Sequence, residues 1–236
     1  MGPCAASGKP TRPPALAPAV GREVATWSAH PEVPVPATPV PLPTAGLPSA
    51  ARRHLVLGDL LPAVRFRDAA LVVGGAALVG GLAQVSLHIP GTPVPVTGQT
   101  FGVLLAGAAL GPRRAAASMA LYVVAGVAGM PWFASGGAGM VGASFGYLLA
   151  YPLAAAVVGA LSSRRGDRTP LRTALTMAAG SAVVYAVGVT WLATWAHLGA
   201  GAAIREGMVP FLAGDAVKLA AAAAVLPATW KLVGRD

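Results

Sequence analysis

Apolar runs separated by short breaks of Gly, Pro or Arg fill the chain from residue 69 onward. Their length and unbroken apolar character predict helices rather than strands. The six predicted helices cover residues 69–87, 98–110, 115–130, 145–161, 174–196 and 208–232. The second and third runs are shorter than the roughly 20 residues of a membrane-spanning helix. They can still cross a bilayer if neighbouring helices or inward-dipping loops complete the span, so the pattern predicts six transmembrane helices.

The basic residues of the loops test this number independently. They cluster before the first predicted helix, between the second and third, between the fourth and fifth, and after the sixth. The intervening loops contain a single basic residue, Arg205. Because cytoplasmic loops are enriched in Lys and Arg, this alternation predicts six crossings with both termini in the cytoplasm. A four-helix alternative without the short runs would leave Arg113 and Arg114 outside, so six helices are preferred.

Composition supports an all-α integral membrane protein. Of 236 residues, 55% are apolar and 11% are charged, and the mean hydropathy is +0.65. A soluble domain carries about 25% charged residues, so this chain lacks the polar groups to cover a water-exposed surface. Its net charge of +9 is spread over loop clusters without interleaved aromatic residues, which disfavours nucleic-acid binding. Cys4 is the only cysteine, and His88 and His197 are isolated, so we expect no disulfide and no metal site.

Residues 1–65 differ from the rest of the chain. They hold most of its 22 prolines, in stretches such as "KPTRPPALAPAV", and show no periodic apolar face. Proline at this density prevents regular helix or sheet, and no continuous apolar core follows a basic start as in a signal peptide. We therefore expect a disordered cytoplasmic leader before a membrane domain of residues 66–236. The leader is either an extension without a role or a tail that meets a partner.

The last predicted helix contains two ionisable residues, Asp215 and Lys218, in "PFLAGDAVKLAAAAAVLP". Side chains three residues apart project from the same side of a helix, and neither charge can face lipid cheaply. One interpretation is a mutually neutralised pair that pins two helices together. The other is a ligand site facing the protein interior, which is favoured because ionisable residues inside membranes are usually functional.

Two loops on the predicted outer side carry further candidates. Thr97, Gln99 and Thr100 stand at the head of a short helix, where free backbone N–H groups and polar side chains would form an uncharged polar cup. Thr97 alone is equally explained as a helix cap, whereas a glutamine entering an apolar run needs a partner. In "GMPWFASGGAGM", Trp132 and Phe133 are either interfacial anchors or the walls of an apolar pocket.

Small residues at four-residue spacing occur in the first predicted helix, as Ala70 with Gly74 and Ala77 with Gly81. In lipid, helices associate through the close backbone approach that such a face allows. We predict that these four residues dock another membrane protein, although a chain with 30 glycines also produces such spacings by chance.

Motifs for ATP hydrolysis and for catalysis are missing. No G-x-x-x-x-G-K-[ST] phosphate-binding loop is present, so the chain is not expected to hydrolyse ATP. The membrane part has no Ser/His/Asp set and no paired carboxylates, which disfavours an enzyme.

Several stretches together resemble the BioY family, the biotin-binding substrate-specificity (S) components of energy-coupling-factor (ECF) transporters. The resemblance covers about residues 66–236 and follows P-x-P-x-T-x-Q-T in "PVPVTGQT", L-G-P-[KR] in "LGPR", G-x-P-x-F in "GMPWF" and G-D-x-x-K in "GDAVK". It implies a six-helix protein of the cytoplasmic membrane with a ligand site open to the outside. It also implies a transmembrane (T) component and two cytoplasmic ATPases as partners, with biotin as ligand and no cofactor.

The resemblance also assigns residues. Asp215 and Lys218 of G-D-x-x-K would contact biotin, and Thr97 and Gln99 would lie in a covering loop. We expect Trp132, Phe133 and Tyr147 to pack the ring system of the ligand. Two alternatives remain, an S component for another vitamin such as thiamin or riboflavin, and a membrane-embedded enzyme with Asp215 as its base.

Overall fold

The structure, a computed structural model, describes residues 56–61, 66–140 and 142–233. Within these residues the chain forms helices and one short hairpin: α1 (Arg67–Ala83), β1 (Ser86–Leu87), β2 (Val96–Thr97), α2 (Gln99–Leu110), α3 (Pro112–Val127), α4 (Phe145–Ser163), α5 (Pro170–Trp195), α6 (Ala200–Gly207) and α7 (Val209–Leu232). Most of the predicted leader, residues 1–55 and 62–65, lies outside the described residues.

Proline and glycine set the helix boundaries. Pro112, Pro170 and Pro210 occupy the first turns of α3, α5 and α7, where a missing N–H breaks no helical hydrogen bond. Thr169 caps α5 by accepting a hydrogen bond from the backbone N–H of Arg172 at 3.4 Å. Between α2 and α3 the chain turns on Gly111 alone, whose φ of 78° favours a residue without a side chain.

Helix α4 packs against α2, α3 and α5, while α1 packs on α2 and α3, and α7 packs on α5. The backbones approach closely at Gly159 of α4, where a Cβ atom would lie 2.6 Å from the backbone of Gly111 and Pro112. Such glycines allow the helices to make the close van der Waals contacts that hold a bundle together in lipid.

The predicted helices are all present, with four local corrections, one of which is that α5 begins at Pro170, four residues earlier than predicted. Predicted residues 84–87 of the first helix are not helical, because Ser86–Leu87 pair antiparallel with Val96–Thr97. Helix α3 begins and ends three residues earlier than predicted, since Pro112 starts it directly after Gly111. Helix α6 forms inside a segment predicted as a loop, so the fold is helical with a two-strand hairpin.

Three helical segments are long and apolar enough to cross a membrane: Gly142–Ser163, Pro170–Trp195 and Val209–Leu232. Helix α2 is apolar but shorter, and α1 and α3 have 17 and 16 residues. Large apolar side chains such as Val73, Val124 and Val217 are exposed on the described surface, as expected for contact with lipid. The chain is therefore a membrane protein.

A candidate ligand-binding site

A cavity of about 150 Å³ lies beside the β1–β2 hairpin, between α2, α4, α5 and α7. We call this end of the bundle the hairpin end. Polar groups of the cavity wall come from α2, α5 and α7, and aromatic rings come from α4, α5, α7 and the α3–α4 connection. The predicted residues Thr97, Gln99, Phe133, Tyr147, Asp215 and Lys218 all line this one cavity.

Asp215 and Lys218 form an ion pair, as their spacing on one helical face predicts. The Lys218 Nζ atom lies 3.0 Å from Oδ1 of Asp215, and their side chains are 17% and 11% exposed. Lys218 also donates to Thr100 Oγ1 at 2.7 Å, and Tyr185 donates its hydroxyl to Oδ2 of Asp215. The two charges are thus held by side chains from α2, α5 and α7.

These bonds leave capacity for a ligand. An ammonium group has three donors, and Lys218 uses two of them on Asp215 and Thr100. A carboxylate has about four acceptor positions, and the bonds from Lys218 and Tyr185 use two of them. Since both residues also line the cavity, the unused positions are available to a polar ligand.

Gln99 finds the partner that its place in an apolar run requires. Its side-chain amide donates to the Tyr122 hydroxyl at 2.6 Å, and its oxygen accepts from Thr97 Oγ1 at 3.0 Å. Thr97, which precedes the N-cap residue Gly98, also accepts from the Gln99 backbone N–H at 3.3 Å and lines the cavity. This network fixes the orientation of the Gln99 side chain at the cavity wall.

The two aromatic residues of the α3–α4 connection take different places. Phe133 is 1% exposed and lines the cavity, with its ring against Gly126, where a side chain would overlap it. Trp132, predicted as an anchor or a pocket wall, does not line the cavity. Its indole N–H donates to the Tyr122 backbone oxygen at 3.0 Å, and its ring lies on Gly80.

Tyr147 connects α4 to the end of α6. Its ring lies over Gly188, where a Cβ atom would overlap it, and its hydroxyl donates to the Gly207 backbone oxygen at 2.7 Å. The ring centroid is 6.4 Å from that of Phe211, another residue of the cavity wall. Tyr147 thus supplies apolar ring surface to the cavity while its polar end is satisfied elsewhere.

The sequence prediction missed Tyr185, Tyr151 and Ser181, which also line the cavity. Tyr185 is the most informative, because its hydroxyl holds the Asp215 carboxylate. A signal was present in "SAVVYAVGV": a phenol hydroxyl inside an apolar run needs a hydrogen-bond partner.

Two side-chain contacts, one from Gln84 and one from Ser86, join the end of α1 and the hairpin to the α3–α4 connection. The Gln84 amide lies within hydrogen-bonding distance of the backbone oxygens of Gly80, Trp132 and Phe133, at 3.0, 3.3 and 3.2 Å. Next to it, the hydroxyls of Ser86 and Ser135 lie 2.8 Å apart. The β1–β2 hairpin and the α3–α4 connection are thereby bonded to each other.

The small residues of α1 lie on an open face. Ala70, Gly74, Ala77 and Gly81 are all exposed. A Cβ atom added at Gly74 or Gly81 would have no neighbour within 4 Å among the described residues. Within those residues, no three His, Cys, Asp or Glu side chains come together as metal ligands.

Comparisons with known proteins show consistent similarities. The BioY family model matches residues 53–235. A probable biotin transporter BioY of Pyrococcus horikoshii is 37% identical over 162 residues, which cover 67% of this chain and 93% of that protein. The biotin transporter BioY of Rhizobium etli is 34% identical over 170 residues, covering 66% and 89%.

One solved structure shares the fold. It is the crystal structure of the S-component for biotin from an ECF-type ABC transporter, with a TM-score of 0.64 at 19% identity. The match covers 72% of this chain and 95% of that chain.

Proposed function

Because this chain belongs to the BioY family, we propose that it binds biotin and serves as the substrate-specificity component of an ECF-type ABC transporter for biotin uptake. The observation that carries the proposal is the ion pair of buried Asp215 with half-buried Lys218, which lines a cavity beside aromatic side chains. Two relatives that match this chain over 93% and 89% of their own length are named biotin transporters, one of them as probable. The chain is thus a transport component and not an enzyme.

The chemistry of biotin fits this cavity. Biotin has an uncharged ureido group that donates and accepts hydrogen bonds, an apolar fused thioether ring and a valerate carboxylate. In our proposal Asp215 accepts from ureido N–H groups and Lys218 meets the carboxylate or another polar oxygen. Phe133 and Tyr147 pack the ring system, and Gln99 and Thr97 border it. The exchanged arrangement, with Lys218 on the ureido oxygen, uses the same unused donor and acceptor positions.

We place the hairpin end outside the cell and both termini in the cytoplasm, with α1–α5 and α7 as six spans of the cytoplasmic membrane. Exposed basic residues support this orientation, because Arg113, Arg164, Arg172 and Lys231 all lie at the opposite end of the bundle. The hairpin end has Arg205 on α6. A ligand arriving from outside would then meet the cavity near its point of entry.

The energy for uptake would come from partners, namely a transmembrane T component and two cytoplasmic ATPases. We propose that the open α1 face of Ala70, Gly74, Ala77 and Gly81 docks the T component, since a flat small-residue face permits close helix approach. Gly74→Leu is expected to leave biotin binding unchanged, because no described atom lies near that position. The same variant should lose co-purification with the T component and ATP-dependent uptake.

Ligand retention tests the proposed function directly. Purified protein in lipid nanodiscs should retain radiolabelled biotin, and Asp215→Asn should weaken binding at least about 100-fold, because it removes a charged acceptor from a buried site. Asp59→Asn, at a carboxylate 2.7 Å from Arg114 at the opposite end, is the control and should bind normally.

Other outcomes would overturn the proposal. Tight retention of thiamin or riboflavin in place of biotin would assign the chain to another vitamin. Recovery of biotin in a chemically altered form would favour an enzyme.

A further inference from the structure

Resting on the function proposed above, we infer that Tyr185 is a positioning residue that sets the direction of the Asp215 carboxylate and thereby the choice of ligand. Tyr185 lies on α5, and Asp215 lies on α7. The hydrogen bond between them is thus a contact between two helices at the wall of the cavity.

A second cavity shows what lies on the other side of this bond. A groove of about 650 Å³ runs between α5, α6 and α7 and is lined mostly by apolar side chains. Ser181, Tyr185 and Asp215 border both the groove and the ligand cavity. Tyr185 and Asp215 therefore form part of the partition between the ligand cavity and a more apolar groove.

The partition gives Asp215 two possible surroundings. Its two oxygens are held from different helices, Oδ1 by Lys218 of α7 and Oδ2 by Tyr185 of α5. With only the Lys218 bond, the carboxylate plane would be free to rotate toward the groove. The Tyr185 bond fixes that plane, so the remaining acceptor positions keep one direction relative to the ligand.

Holding the Asp215 carboxylate in one direction should increase selectivity among ligands more than it increases affinity for any one of them. A site built to hydrogen-bond a particular group rejects analogues that lack it, because the buried polar atoms of the site are then left unpaired. A carboxylate free to turn could find another arrangement with such an analogue and would reject it less strongly. Tyr185 should therefore control the discrimination at the ligand group that Asp215 contacts.

Tyr185→Phe removes the hydroxyl and keeps the ring in the partition. We expect the biotin dissociation constant in nanodiscs to rise about tenfold, the scale of one hydrogen bond to a charged group. The matched control is Thr194→Val, which deletes another hydroxyl of α5. That hydroxyl bonds to backbone oxygens of its own helix, and Thr194 borders neither cavity. It should leave binding unchanged.

Two biotin analogues distinguish a role of Tyr185 in positioning Asp215 from a general structural role in the site. One is biotin methylated on a ureido nitrogen, and the other is biotinamide, which lacks the carboxylate charge. Since Asp215 accepts from the ureido N–H groups in the proposed function, the Phe variant should lose discrimination against the methylated analogue and keep it against biotinamide. An equal weakening of biotin and both analogues would mean a structural role only and would overturn the inference.

The measurements also distinguish this inference from the function on which it rests. Failure of the unaltered protein to retain biotin would overturn both. Retention by the unaltered protein, together with unchanged affinity and discrimination in Tyr185→Phe, would overturn the inference alone.

Discussion

Two buried aspartates, one at each end of the helix bundle, have opposite surroundings. Asp215 at the hairpin end is 8% exposed and faces a cavity, with Lys218 and Tyr185 as partners. Asp167 at the opposite end is 0% exposed and accepts a hydrogen bond from the Trp230 indole at 2.7 Å. It borders neither of the two cavities described above.

The surroundings of Asp167 are closed by protein groups. Arg168 Nε lies 3.4 Å from its Oδ1, and the guanidinium carbon of Arg168 lies 3.4 Å from the centre of the Trp230 ring. Burial raises the pKa of the Asp167 carboxyl, although the bond from Trp230 and the charge of Arg168 oppose this. Burial and pairing are therefore common to both aspartates, and only Asp215 borders a cavity that could hold a ligand.

The largest effect in the comparison of Asp215 with Asp167 is expected when one charge of the Asp215–Lys218 pair is removed. Lys218→Ala leaves the Asp215 carboxylate buried without its cation, which should lower the free energy of unfolding by about 3–5 kcal/mol. Biotin binding should be lost in the same variant. Both effects can be measured in detergent, by thermal unfolding and by retention of labelled biotin.

A double variant sharpens this prediction. Asp215→Asn combined with Lys218→Met removes both charges, so most of the stability should return while biotin binding stays at least about 100-fold weaker. Full recovery of binding by this neutral pair would contradict a role of the charges in the site.

A substitution at Asp167, at the opposite end of the bundle, should change the stability of the protein and leave its affinity for biotin unchanged. Asp167→Ala leaves the buried Trp230 N–H without its acceptor, which should cost about 1–3 kcal/mol of unfolding free energy. The biotin dissociation constant of the protein that remains folded should not change. A marked loss of affinity at full folding would mean that the two ends are coupled.

The smallest expected effect is a pH dependence at Asp167. Because burial raises the pKa of this carboxyl in the folded protein, folding favours its protonated form. Its contribution to stability is then greatest below the unfolded pKa of about 3.9 and decreases as pH rises through the folded pKa.

Asp167→Asn supplies the reference without this titration. The melting temperature of the unaltered protein relative to the variant should therefore be higher at pH 4.5 than at pH 7. A relative melting temperature that rises with pH would have the wrong sign.

The long helices could be predicted closely from the sequence because their apolar runs are uniform and bounded by Pro, Gly or Arg. The last predicted helix, residues 208–232, differs from α7 by one residue at its start. Helix α6 could not be predicted in this way, since it has eight residues, includes glycine and is mixed in polarity. The end of α1 was missed because the hairpin that replaces it depends on pairing Ser86 with Thr97 and Leu87 with Val96, which are eleven and nine positions apart.

The candidate site divides along similar lines. Asp215, Lys218 and Gln99 were predictable because each is conspicuous within apolar sequence. Tyr185 also stands in an apolar run, but its partner lies 30 residues away, and only the packing of α5 on α7 brings them together. The sequence could not decide whether Trp132 is an interfacial anchor or a pocket wall, because the oxygen that it bonds belongs to the backbone of Tyr122.

The Gln84 amide links the end of α1, directly before the hairpin, to the wall of the cavity. Gln84 ties the end of α1 to the carbonyls of Trp132 and Phe133, and Ser86 of the hairpin bonds to Ser135, so the hairpin cannot swing outward alone without breaking bonds to the α3–α4 connection. Any outward movement of the hairpin that keeps them must pull the Phe133 backbone along. In the proposed function, a bound ligand would lose its contact with Phe133 as the hairpin moves outward, so opening of the cavity and weakening of the ligand contacts would occur together.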